Sequence, residues 1–329
     1  MLKLRDARYC NLKLLLIFLV IYGHLIEPNV WQSKVLMTQY KWIYLFHMPL
    51  FCFLSGLFLN DAKACGSQFK KMIFLYLILQ TAVVFFGKGN VKPLTPHWHL
   101  WYLLSYSMWA ALGWVWCRFC KGKGKIIILL FSILVGCLAG LHPDIGRKYS
   151  LSRTLVFLPF FWTGLICDPR YQWERLRLLG TAAFVTALAV MLCWGERISA
   201  VFLYQADSYG ELANGVQLRL ICYLLGALIC VFLLSFTPTR RFPFTRAGAD
   251  TMPAYLIHAP LVTGIRKLDV PWPCCLLIAA SIVYVVYKLL RWHSRLYGIV
   301  PAKRRESRCQ PFKKSMRNTP SRSIDSCCP

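Results

Sequence analysis

The sequence predicts an all-α, polytopic integral membrane protein of about ten transmembrane helices. Three observations predict it. Of 329 residues, 57% are hydrophobic and only 16% charged, against roughly 25% charged in an ordinary soluble domain. The apolar residues gather into runs, and at about 20 residues per span they suffice for about ten crossings. The net charge of +26 sits mostly between those runs, where retention of Lys and Arg on the inner side of a membrane accounts for it. Such a chain is neither a soluble enzyme nor disordered, because its hydrophobicity is far too high. In a soluble protein this charge would suggest nucleic acid. Its placement here points to a lipid bilayer as partner, with no nucleic acid.

The candidate spans run over 10–27, 42–60, 69–87, 98–117, 126–141, 152–167, 177–194, 217–236, 251–266 and 273–291. The first follows a basic start and resembles a signal peptide. It lacks a small-residue cleavage site and a second run follows soon, so a retained first helix is expected. The segment 251–266 is short and holds Pro253 and Pro260, which makes a broken or partly inserted helix a candidate there. Of the Lys and Arg residues, 26 fall on the side of the N-terminus and 11 on the other, with Lys13 and Lys288 inside spans. This asymmetry predicts both termini in the cytoplasm and a multi-pass protein of the plasma or inner membrane. Residues 1–292 form the membrane-embedded domain, and 293–329 a basic tail expected to be disordered or adsorbed on anionic headgroups. Cys52, Cys137, Cys193, Cys222 and Cys230 lie singly in apolar runs and read as small buried hydrophobes. Cys117 and Cys120 have no second pair at zinc-ribbon spacing, so neither a disulfide framework nor a metal site is expected.

An ionisable side chain inside a span is costly and therefore a functional candidate. Lys13 and His24 lie on one helix face, about 16.5 Å apart along the axis. A cation near the inner surface suits an anionic donor, and a histidine at depth suits proton transfer. The competing readings are a snorkelling interface lysine and a histidine bonded to a neighbouring helix. His47 stands beside the bend expected at Pro49, with Ser55 and Gly56 following where close helix approach is possible. Here the alternative is a kinked packing helix. His97, Trp98, His99, Trp101 and Tyr102 cluster at the outer interface, where Trp98 and Tyr102 read as an aromatic belt. Thr251 and Pro253 suit a helix start, which puts His258 about two turns in, as a functional or a structural histidine. Lys70 and Lys71 open the third span from the cytoplasmic side.

Together these motifs resemble the acyltransferase-3 family of integral membrane acyltransferases, with the fucose 4-O-acetylase group as the nearest likeness. The matching pieces are Lys13-x10-His24 with Gly23 before the histidine, FHMPLFCFLSGLF at 46–58, WHLWYLLSY at 98–106, FLPFFWTGLI at 157–166 and TMPAYLIHAPL at 251–261. They occur in the family's order and span nearly all of the chain except the tail. The resemblance implies about ten helices and an acyl-CoA donor, usually acetyl-CoA, as a substrate rather than a resident cofactor. The acceptor would be a hydroxyl of a cell-surface or lipid-linked carbohydrate. By the family pattern His24 is the essential catalytic histidine and Lys13 the basic residue of the motif, with Lys70 and Lys71 as further donor-binding residues. The family often has arginines where Lys70 and Lys71 stand, and lysine binds phosphate as a point charge, without a bidentate fork. His47, His258, Ser55 and Trp101 are candidates for catalytic support or acceptor binding. The fused hydrolase-like domain of some members is not present, so an acceptor handled by one is not expected. The alternative class is a transporter or flippase for a glycan or small solute, which midplane histidines and broken helices also suit.

Overall fold

The computed structural model describes residues 7–296 other than 60, 88–91, 121, 122, 211–213 and 269. The helices are α1 Ala7–Ile26, α2 Lys34–Leu57, α3 Ala62–Phe86, α4 Trp101–Val115, α5 Lys125–Leu138, α6 Leu151–Ile166, α7 Arg177–Trp194, α8 Ala200–Leu203, α9 Gly215–Phe236, α10 Met252–Ile265 and α11 Trp272–Leu296. No strand occurs among the described residues. Each apolar run of the sequence overlaps one of the long helices, with α2 and α3 beginning seven or eight residues before their runs, and α8 is a single added turn. Five helical stretches, at 7–32, 62–86, 173–197, 215–236 and 272–292, are long and apolar enough to cross a membrane. Large apolar side chains face outward on them, such as Phe85 and Phe86 of α3, Leu178 of α7 and Leu277 of α11, as a lipid environment permits. The tail expected at 293–329 falls almost wholly outside the described residues.

Two expectations are corrected. The segment 251–266 is not broken: α10 is continuous over 14 residues. Pro253 stands in its first turn, where no intrahelical donor is needed, and Pro260 removes only one backbone donor. Cys193 is exposed, whereas Cys52, Cys137, Cys222 and Cys230 are buried. α7 lies at the edge of the bundle with most of its surface turned outward, so an apolar run did not mean an interior position.

Loops gather at two opposite ends. At the α1 N-terminus, Tyr9 donates to Pro169 O (3.0 Å), Asn11 to Pro238 O (3.0 Å) and Lys13 to Ala249 O (3.2 Å). At the other end, Lys41 donates to Gly195 O (2.9 Å), Arg147 pairs with Asp207 (2.8 Å) and Tyr149 N donates to Leu94 O (2.8 Å). The long helices therefore alternate in direction between one end and the other. α2 and α6 cross in close contact because glycines meet there. A Cβ on Gly56 would stand 2.1 Å from Phe161 O, and one on Gly164 only 2.0 Å from Phe53 O. That crossing brings backbone against backbone and holds α2 in the middle of the bundle. Gly164→Ala is expected to force the two helices apart and cost about 1–3 kcal/mol. A lower thermal midpoint of the detergent-solubilised protein would register it, and an unchanged midpoint would show that the crossing relaxes freely.

Candidate active site

α1 ends at Ile26, and its last turn together with the residue that follows it starts the site. His24 lies in that turn and Glu27 one turn on, the spacing that brings i and i+3 side chains together. His24 Nδ1 is 3.5 Å from Glu27 Oε2. Nδ1 is buried without a hydrogen-bond partner, whereas Nε2 is not, so the ring turns its Nε2 edge toward the adjoining cavity. Glu27 is fixed from three directions. Its Oε1 accepts from Tyr204 OH (3.1 Å) and Tyr40 OH (3.3 Å), and its Oε2 from Arg266 Nη2 (2.5 Å). Arg266 Nε also donates to His24 O at 2.9 Å, so one guanidinium holds both the backbone of the histidine and the carboxylate beside it.

Two aromatic rings pack on the His24 ring, and a third stands behind one of them. Trp98 meets it edge-on at 4.9 Å, and His258 stacks on it at 5.6 Å with planes 16° apart. His99 stands 5.4 Å from His258. His258 Nδ1 donates to Tyr255 O at 2.5 Å, which leaves its Nε2 as a bare lone pair, buried and without a partner. Trp98 adopts φ 35°, a left-handed conformation that costs a bulky side chain energy. Packing against His24 and a position under Arg266, 5.3 Å from its ring, hold it there.

Two cavities flank this cluster. One, of about 630 Å³, is lined by His24, Glu27, His47, Trp98, Trp101 and Arg153 among others. The second, of about 860 Å³, opens toward the α1 N-terminus and is lined by Lys13, Ser55, Lys63, Lys71, Tyr102 and Arg170 among others. Met48 and Tyr255 line both, so the two cavities adjoin at those side chains. At the mouths, ion pairs set the charges. The Arg147 guanidinium beside Asp207 holds that carboxyl below the usual carboxylate range and its own proton more tightly. Donation from the Arg170 amide and guanidinium likewise lowers Asp168. Burial lowers His97 at the rim of the His24 cavity.

The sequence candidates separate accordingly. His24, His47 and Trp101 share one cavity, and Lys13, Ser55 and Lys71 the other. His258 is fully buried against His24. His47 donates through Nδ1 to Ile43 O at 2.7 Å. Ser55 is bonded to Tyr102 OH at 2.5 Å. Lys70 is exposed and lines neither cavity, being one residue, and so about 100° of helix, away from Lys71. Trp98 and Tyr102 are not an interfacial belt: Tyr102 is buried, and Trp98 packs on the catalytic candidate. An aromatic cluster at a helix start looks the same in sequence whether it meets lipid or a neighbouring helix. Sequence reasoning missed Glu27, Arg266 and Arg153. Glu27 carried a signal, since acidic residues are scarce here, 13 in all, and it follows His24 by three.

Comparison with known proteins follows the same residues. A family model described as an acyltransferase domain matches residues 11–290. The chain belongs to the acyltransferase-3 family. It is also similar to the nodulation protein NolL of Mesorhizobium japonicum, at 24% identity over 304 residues, covering 77% of this chain and 76% of that one. No solved structure matches. Family membership and the apolar helices make it a multi-pass membrane acyltransferase. The Glu27 carboxylate, 3.5 Å from His24 Nδ1, has the placement of the carboxylate that orients the histidine of a catalytic triad. Glu27→Gln is expected to lower acyl transfer about 10²-fold in protein that still elutes as a single species. Full activity in that variant would remove Glu27 from the mechanism.

Proposed function

We propose that the protein transfers an acetyl group from acetyl-CoA, bound in the Lys13 cavity from the cytoplasmic side, to a hydroxyl of a cell-surface or lipid-linked carbohydrate in the His24 cavity. The observation that carries this reading is that two cavities, one lined by His24 and the other by Lys13, share Met48 and Tyr255 in their linings. A transferase that draws its donor and acceptor from opposite sides of a bilayer needs such a pair. On this reading about ten helices span the bilayer, in the plasma or inner membrane, and the α1 N-terminus faces the cytoplasm with the larger share of basic residues.

The CoA phosphates meet Lys13, Lys63 and Lys71, and the pantetheine arm extends along α1 toward His24, about 16.5 Å away along the axis. His24 Nε2 takes the proton of the acceptor hydroxyl as its oxygen attacks the thioester carbonyl. The tetrahedral intermediate collapses, the C–S bond breaks, and the CoA thiolate takes the proton back from His24. Glu27 faces the opposite nitrogen and keeps Nε2 free to act as base. His258 stacks on the ring and His47 lines the same cavity, as positioning groups. Ser55 and Trp101 contribute to the walls of the donor and acceptor cavities.

His24→Ala is expected to abolish at least 10²-fold of the transfer rate, the scale of general-base catalysis. The assay is acetyl transfer from labelled acetyl-CoA to membrane carbohydrate at matched protein level, and near-wild-type activity would refute the role. Lys71→Gln is expected to raise the KM for acetyl-CoA about fivefold, and Lys70→Gln to leave it unchanged. Equal effects would place both lysines on the donor. A protein that moves a glycan yet never binds acetyl-CoA would be a transporter instead.

A further inference from the structure

We propose that the His24 cavity recognises an anionic group on its carbohydrate, a sugar carboxylate or sugar phosphate, through Arg153; this rests on that cavity being the acceptor site. The charges around it are unequally matched. Glu27 is committed to Arg266 at 2.5 Å, and Asp207 to Arg147 at 2.8 Å. Arg153 lines the same cavity and makes no direct ion pair among the described residues; Asp207, bonded to Arg147, acts on it only through space. Its Nε donates to Tyr204 O at 2.9 Å. Its guanidinium carbon lies 4.9 Å from the centre of the Trp101 ring, and Trp101 packs in turn on Phe157, one turn further along α6, at 5.7 Å.

Neither terminal nitrogen of Arg153 donates to a described group, and neither is a buried orphan. Both therefore reach the cavity. The carbonyl holds the guanidinium at its Nε and the indole supports it from its face, which leaves the two Nη atoms presented as a fixed fork. That geometry matches a carboxylate or phosphate oxygen pair. A half-buried cation that makes no direct ion pair is costly, and an anion delivered by the ligand offsets the cost. The backbone around it is strained as functional sites are. Tyr149 and Ser150, at φ 54° and 56°, turn the chain into α6 one turn before Arg153, and Gln205, at φ 57°, follows the carbonyl that holds it.

The test uses the full chain in nanodiscs of zwitterionic lipid, without donor. Saturation-transfer NMR would compare cellobiouronic acid, a phosphorylated cellobiose and plain cellobiose. The expected result is binding of an acidic disaccharide about tenfold tighter than cellobiose, the scale of one charge-assisted contact. The better of the two acids tells carboxylate from phosphate. The preference should vanish in Arg153→Gln and persist in part in Arg153→Lys, while both variants keep wild-type affinity for CoA in the other cavity. Equal binding of acidic and neutral sugar, no saturable binding of either acid, or a preference that survives Arg153→Gln would overturn the proposal. A parallel acetyl-CoA assay keeps the two readings apart. Arg153-dependent acid binding without any acetyl transfer would leave the anion site standing and remove the transferase reading.

Discussion

The site hangs on the pairing of Arg266 with Glu27. A carboxylate that is three-quarters buried at the end of an apolar helix needs compensation from charge and from hydrogen bonds. Arg266 supplies both, and through the His24 carbonyl it also ties the end of α10 to the end of α1. Tyr40 from α2 and Tyr204 from the turn after α8 complete the shell. Elements far apart in the chain thus converge on one carboxylate, and the histidine beside it takes its orientation from them.

The second constraint is the glycine crossing of α2 and α6. It sets α2 deep in the bundle, so that successive turns of one helix face different spaces. His47 looks into one cavity and Ser55 into the other, with Met48 in the wall between. The proline at position 49 lies within this stretch without ending the helix. α6 uses the same contact from its side. Its C-terminal half packs on α2 through Gly164, while its first turns carry Arg153 into the His24 cavity.

Local patterns were readable because they depend on local physics. Apolar runs of helical length set the number and positions of the long helices, since each span must satisfy its backbone internally. Lys13 and His24 were legible from their cost inside an apolar run, and their separation along α1 does place them at two different cavities. Lys70 and Lys71 were indistinguishable as neighbours, because the rotation of α3 that selects Lys71 depends on what packs against that helix.

What the sequence by itself determined is the helical, lipid-compatible architecture and the order of the polar residues set within it. Hydrophobic length and residue spacing fix these without reference to partners. Only the tertiary structure decided which polar groups meet. Glu27 and Arg266 are separated by 239 positions, and Arg153 lies 51 positions from the carbonyl that holds it. Such pairings arise from helix packing and burial, which bring distant charges together wherever a low-polarity interior makes an unpaired one expensive.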